Sequence, residues 1–224
     1  MSHSGLVFLA GASRGVGREI AQELRKKSLS VKALLRTDAA QAELEALGIT
    51  VAFGDALDAD AVEQAMLADP VWAVITTVGG MPQDGQRVDY LGNKNLIDAA
   101  VKAGVQKFIL VSSIGSGNSV VALSPQVLQT LGPVLAEKER AEQHLIASGL
   151  TYTIVRPGGL KSEPATGNGV LTLDPTVVGT IHRADVAQLV CKCLESDTSN
   201  NQVLSAVDRS MVYGQPTFAE FKLS

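Results

Sequence analysis

The sequence predicts an α/β fold, a single doubly wound parallel sheet with helices on both faces. Three observations predict it. Short β-branched runs alternate with longer amphipathic segments over most of the 224 residues. The strand-like runs are nearly continuous in apolar residues, as parallel strands covered on both faces are. The first run also passes straight into a glycine-rich turn, "LAGASRGVG" at residues 9–17, which opens a helical pattern.

Strands are predicted at 5–10, 30–36, 49–55, 72–78, 107–113, 151–157 and 202–207. Between them, Val16, Ile20, Ala21 and Leu24 form one apolar helical stripe, and Val62, Met66 and Leu67 form another. Longer helices are predicted over 87–103 and 134–148, and a last one begins near Asp185. No repeat or linker interrupts the chain, so residues 1–224 read as one domain. Two stretches break the rhythm, at about 113–133 and 157–180. The first lies in a run from Phe108 to Ala136 that holds no charged residue. Both follow strands, and loops of that length at the carboxyl edge of such a sheet are expected to face a ligand.

Composition excludes several classes of function. The chain is 46% hydrophobic, enough to fill a sizeable core. Its formal charge is −4 with acids and bases interspersed, so no basic face is available for nucleic acid. No apolar run approaches the roughly 20 residues of a membrane span. The amino terminus lacks the charged segment and cleavage site of a signal peptide, so no membrane association and a cytoplasmic location are expected. Cys191 and Cys193 are two apart on a predicted helix. Their side chains diverge there, which reads as core thiols rather than a disulfide or a metal pair. No metal site is expected, and nothing requires more than a monomer.

The glycine turn reads as a phosphate cradle. Gly11 permits the tight turn, Gly15 lets the backbone approach a pyrophosphate, and Gly17 allows close packing of helix on strand. Ser13, Arg14 and Val16 complete the loop, whose free N–H groups and helix dipole favour an anion. The second strand ends in "LLRTDAAQ", so Arg36 and Thr37 stand where an NAD enzyme places an acid. Asp38, further on, reads as a helix cap. Arg14 and Arg36 are placed to bracket a 2′-phosphate, which makes NADP (NADPH) the expected cofactor. Asp55, followed by Ala56, ends the third strand. It can accept from an adenine amino group or cap the next helix, a role for which Asp58 competes. Thr77, Val78 and Gly79 are small residues at the end of the fourth strand, where a ribose can approach closely.

On these residues the chain resembles the atypical short-chain dehydrogenase/reductase group of NAD(P)-binding Rossmann proteins. The likeness runs from Gly5 to about Leu194, through "GASRGVG", "GDALD", "VDYLGNKNLIDAA", "KFILVSS", "KERAEQHLIASGLTYTIVRPGGL" and "HRADVAQLV". Its length, and "TGNGVLTLD" after the "RPGG" turn, look most like the biliverdin-IXβ reductase (flavin reductase) family. That resemblance implies NADPH-dependent hydride transfer to a flat conjugated acceptor: a flavin such as FMN or riboflavin, a linear tetrapyrrole, or a quinone. It also implies that Ser113 or Ser112 contacts the substrate or orients the nicotinamide, with Ser113 favoured. Lys138 would hold the nicotinamide ribose, unless it is only a charge at a helix start. The backbone of Pro157, Gly158, Gly159 and Leu160 would fix the carboxamide. Many reductases of the wider superfamily use a Tyr-x-x-x-Lys pair, but Val134 stands four residues before Lys138. A tyrosine proton donor is therefore not expected. Lys161 is available to a propionate or a flavin phosphate. Asp185 reads as an N-cap, Arg183 as a pin for the 157–180 loop, and His144 as a helix-surface residue. The alternative reading is an NADP-binding redox sensor or assembly factor with little turnover.

Overall fold

A computed structural model describes residues 5–80, 87–214 and 217–224. The first four residues of the amino-terminal segment read above lie outside the described residues. The chain begins β1 (Leu6–Ala10), α1 (Gly15–Lys26), β2 (Val31–Leu35), α2 (Gln41–Ala46), β3 (Thr50–Phe53), α3 (Ala59–Leu67) and β4 (Val71–Thr76). It continues with α4 (Leu91–Ala103), β5 (Lys107–Val111), α5 (Pro125–Ala147) and β6 (Tyr152–Pro157). Three short strands follow, β7 (Gly159–Lys161), β8 (Gly169–Thr172) and β9 (Thr180–His182), then α6 (Arg183–Glu195) and β10 (Gln202–Asp208). The sheet order is β3-β2-β1-β4-β5-β6-β10-β8, parallel from β3 to β10. The order reverses between β1 and β4, where such a sheet opens a crevice at the carboxyl ends of its strands.

Alternation along the central strands supplies two core layers. In β1, Val7 and Leu9 face one layer with Ile20 and Leu24 of α1 and Val186 and Val190 of α6. Phe8 and Ala10 face the other with Met66 of α3, Leu96 and Ile97 of α4, and Leu145 of α5. Both faces of a strand with period-two side chains are thus buried, which is why these strands read as unbroken apolar runs. Buried Lys107 at the start of β5 turns its ammonium to the carbonyls of Cys193 (2.6 Å), in the last turn of α6, and Ser196 (2.7 Å), its C-cap. Burial pushes the pKa of that ammonium down.

Several expectations are corrected. The stretch 113–133 is not a continuous loop. A 3₁₀ turn spans Gly117–Ala122, and α5 begins at Pro125 rather than near 134. Ser124 accepts from the Val127 N–H and Pro125 sits in the first turn, both helix-start signals. Gly132 and Pro133 lie inside the helix. The carbonyl that Pro133 leaves without a backbone donor belongs to Gln129, an exposed residue, so the helix tolerates the proline there. The 157–180 stretch holds β7, β8 and β9. Strand β8 lies antiparallel to β10, so the sheet carries one antiparallel edge. Leu67 is exposed and Ala65 takes its place in the α3 stripe. The long helix expected from residue 87 begins at Leu91, with Tyr90 as its cap.

Cys191 and Cys193 are free thiols buried in α6, and burial pushes each pKa up to about 12. A thiol held neutral and out of water cannot attack. A thiol-disulfide reagent at pH 8 is expected to leave both unmodified in the folded protein and to titrate both in guanidinium.

Candidate active site

The crevice at the switch point is a cleft of about 1020 Å³. Its floor begins at the glycine turn. Gly11 (φ +90°) and Gly15 (φ +57°) adopt left-handed backbone that a side chain would strain. A Cβ at Gly17 would lie 2.1 Å from the Gly11 carbonyl oxygen and 2.6 Å from Thr77 Oγ1, so only glycine lets α1 start this close to β1. A Cβ at Gly15 would meet nothing nearer than Arg183 Nε at 3.7 Å, so that backbone faces open cleft. A glycine cradle open at its centre, at the start of a 12-residue helix, fits a dinucleotide pyrophosphate.

Gly11, Ser13, Arg14, Gly15, Val16, Arg36, Thr37, Asp55, Ala56, Thr77, Val78 and Gly79 all line the cleft, while Gly17 supports it from beneath. Arg14 and Arg36 are exposed, and neither guanidinium has a protein acceptor among the described residues. Asp58, not Asp55, caps α3, accepting from the Asp60 and Ala61 N–H groups. Asp55 accepts from the Leu57 N–H at 2.9 Å and stays at the cleft wall. Asp38 makes no side-chain cap. Arg18, which sequence reasoning missed, donates to the carbonyls of Ala12 (3.3 Å) and Ser13 (3.2 Å) and pairs with Glu43, so it stiffens the cradle from the side.

The opposite end of the cleft is built on two buried ion pairs one turn apart on α5. Lys138 lies mid-helix, not at a helix start. Its ammonium is 3.1 Å from Oδ1 of Asp89, a fully buried carboxylate that also accepts from the Gly80 N–H. A Cβ at Gly79 would fall 2.7 Å from Asp89 Oδ1 and 2.9 Å from Lys138 Nζ, so this glycine is needed for the pair to form beside the backbone. Asn93 fastens the same segment, donating to the carbonyls of Val78 (3.0 Å) and Asp89 (2.7 Å). Four residues after Lys138, buried Glu142 binds Arg156 of β6 at 2.6 and 3.1 Å. The Ser112 hydroxyl donates to Glu142 at 2.5 Å. Ser112 lines the cleft with its hydroxyl proton engaged by Glu142. Ser113 is half-buried at the cleft, and its hydroxyl donates to the carbonyl of neighbouring Ile114 at 3.0 Å. Asp89 and Glu142 carry no sequence signal of their own, since an acid near a helix start and one on a helix face are both commonplace.

Pro157, Gly158 and Leu160 line the cleft, whereas Gly159 does not. The expected backbone donors are partly taken: Gly158 N–H bonds Ala206 and Gly159 N–H bonds Gly179, each at 2.9 Å. The first bond continues the pairing of β6 with β10 and the second belongs to the pairing of β7 with β9. Asp185 does not cap α6. It is buried, and its carboxylate accepts from the Thr166 and Gly167 N–H groups, each at 2.9 Å. Asp208 pairs with Thr166 in the same cluster; burial raises its pKa, but hydrogen bonds from Ser210 and Thr166 outweigh that and hold it below the usual value. Arg183 donates to Ser162 Oγ at 2.6 Å and does pin the loop. His144, on the surface of α5, is bonded to Asp98 of α4 at 2.7 Å. Among the described residues lining the cleft, none is Tyr, His or Cys.

A doubly wound sheet with a glycine cradle at its switch point defines a dinucleotide-binding domain. The chain belongs to the NAD(P)H-binding family, whose pattern matches residues 11–197. It is 34% identical to the uncharacterized chloroplastic protein At2g34460 of Arabidopsis thaliana, over 91% of this chain and 77% of that one. It is 29% identical to sanguinarine reductase of Eschscholzia californica, over 94% and 92%. Its fold matches the structure of ChuY, an anaerobilin reductase of Escherichia coli O157:H7, with a TM-score of 0.84 and 34% identity, over 95% of this chain and all of that one. No described helix is long and apolar enough to cross a membrane.

The Glu142–Arg156 pair lends itself to a direct test. Glu142→Leu strands a buried guanidinium, and loss of one partner of such a pair costs about 3–5 kcal/mol. Urea unfolding should show a loss of that size, whereas Gln129→Leu at an exposed position of α5 should stay within about 0.5 kcal/mol of the parent.

Proposed function

We propose that the protein is an NADPH-dependent reductase that delivers hydride to a flat conjugated acceptor, a linear tetrapyrrole or a flavin. One observation carries the reading. Beyond Lys138 the described residues lining the cleft include Val111, Ser112, Ser113, Pro157, Gly158 and Leu160, an apolar rim whose two hydroxyls both donate to protein acceptors and which holds no Tyr, His or Cys. Such a surface suits a planar conjugated ring and offers no arginine fork to a small carboxylic acid. The likeness to an anaerobilin reductase and to sanguinarine reductase supports a conjugated acceptor.

The bound cofactor supplies the hydride. The chain supplies position: the glycine cradle takes the pyrophosphate, and Lys138, held by Asp89, takes the nicotinamide ribose. Ser113 and Leu160 flank the space left for the acceptor, and Ser112 orients the end of β5 through Glu142. Holding the reacting atoms about 3–3.5 Å apart is the main contribution such a site makes. The proton that completes reduction comes from water. Lys161, exposed on β7 beside cleft-lining Leu160, is the cation this reading offers to an acceptor propionate or phosphate. The two unpartnered arginines, Arg14 and Arg36, support NADPH over NADH, since a guanidinium fork suits a 2′-phosphate.

The test is loss of NADPH absorbance with biliverdin, FMN, riboflavin and a quinone, repeated with NADH. Turnover with a bilin or a flavin, faster with NADPH, is expected; tight NADPH binding without turnover on any of them contradicts the reading. Arg36→Ala should lower kcat/KM for NADPH by roughly tenfold or more, the worth of one charge-assisted hydrogen bond, and leave NADH unchanged.

A further inference from the structure

Arg183 joins two parts of the molecule that the reading above treats separately. It opens α6, and its Nη1 donates to Ser162 Oγ at 2.6 Å, just past β7. Its Nε lies 3.7 Å from the place a Cβ would occupy on Gly15, at the open centre of the phosphate cradle. Arg183 lines the cleft and also an adjoining cavity of about 800 Å³ shared with Arg14, Ser162 and Glu163. A guanidinium presents five N–H donors in a fixed fork. With Nη1 on Ser162, the edge formed by Nε and Nη2 is left for a ligand at Gly15, and that edge matches two phosphate oxygens.

The loop beyond Ser162 is already anchored. His182 Nδ1 is 2.8 Å from the Pro164 carbonyl, and Asp185 holds the N–H groups of Thr166 and Gly167. Between β7 and that anchor, Ser162 and Glu163 are exposed, and Ser162 is tied to the cradle through Arg183. Leu160, two residues earlier, belongs to the acceptor end of the cleft.

We propose that Arg183 is a cofactor-binding residue that grips the nucleotide pyrophosphate over Gly15 while keeping Ser162, so that cofactor binding fixes the β7 wall against which the acceptor rests. This rests on the NAD(P)H reading of the cleft and adds to it a coupling between the two sites. The acceptor then meets a finished wall only after the cofactor is in place, which makes binding ordered.

Hydrogen exchange of residues 160–163, with and without NADPH, tests the coupling, and calorimetric titration tests the grip. In the parent protein NADPH should slow exchange there. Ser162→Ala should bind NADPH within about twofold of the parent but lose the slowing, since the removed bond lies outside the cofactor contact. Arg183→Met should lose the slowing and weaken NADPH roughly tenfold or more, as expected for a charge-assisted contact. It should weaken ADP, which keeps the pyrophosphate, by a similar factor and leave adenosine 2′-phosphate unaffected. Parent-like NADPH affinity in Arg183→Met overturns the grip, and undiminished slowing in Ser162→Ala overturns the coupling. A parent protein that binds no NADPH overturns the cofactor reading itself, and is told apart from the other two by the parent titration alone.

Discussion

The structure depends on the absence of one methyl group. At Gly17 a Cβ would stand 2.1 Å from the carbonyl oxygen of Gly11, so the first turn of α1 lies directly on the end of β1. Thr77, just past β4, closes the junction: its N–H bonds the Ala10 carbonyl at 3.0 Å and its hydroxyl bonds the Gly11 carbonyl at 3.2 Å. Three elements therefore meet where the sheet order reverses. That close approach aims the helix N–H groups and the open backbone of Gly15 into the crevice. A larger residue at 17 has to push α1 away, and the cradle with it.

The far end of the crevice is organised by polar rather than glycine contacts. Helix α5 carries Lys138 and Glu142 one turn apart on one face. Lys138 reaches the segment after β4 through Asp89, and Glu142 reaches the ends of β5 and β6 through Ser112 and Arg156. Buried ion pairs contribute little net stability, because desolvation offsets their attraction. Their use here is geometric: three strand ends and one helix are locked in a single arrangement around the space beside Lys138. Arg156 extends the lock to Asn118 at 2.6 Å, in the 3₁₀ turn that follows β5.

What the sequence made legible followed its strongest periodicities and its glycines. The seven strands predicted as apolar runs all form; burial on both faces gives the central ones their long unambiguous signal, while edge strand β3 stays largely exposed. The cradle residues were legible because each glycine answers a local steric demand. Segments lacking either signal were misread. Strand β8 is four residues in a glycine-rich stretch, and the first half of α5 is uncharged, largely exposed and holds Gly132 and Pro133, so its apolar positions at Val127, Leu128, Leu131 and Val134 are masked by residues that favour loops. Asp89, Glu142 and Arg18 escaped for a different reason. Their roles come from partners far away in the chain, such as Arg18 with Glu43, and spacing along one element cannot show them. Asp185 was misassigned because an acid in the first turn of a helix fits a cap as well as a loop anchor.

The central claim is that the cleft holds the nicotinamide with one face toward the acceptor and leaves protonation to water. Single-turnover reduction of a bilin under anaerobic conditions, with NADPH deuterated separately at each of the two C4 positions, tests it most directly. The account predicts that deuterium leaves from one epimer only, with a primary isotope effect for that epimer, and that the second hydrogen in the product comes from solvent. Equal loss of label from both epimers, or reduction without any label transfer, would contradict it.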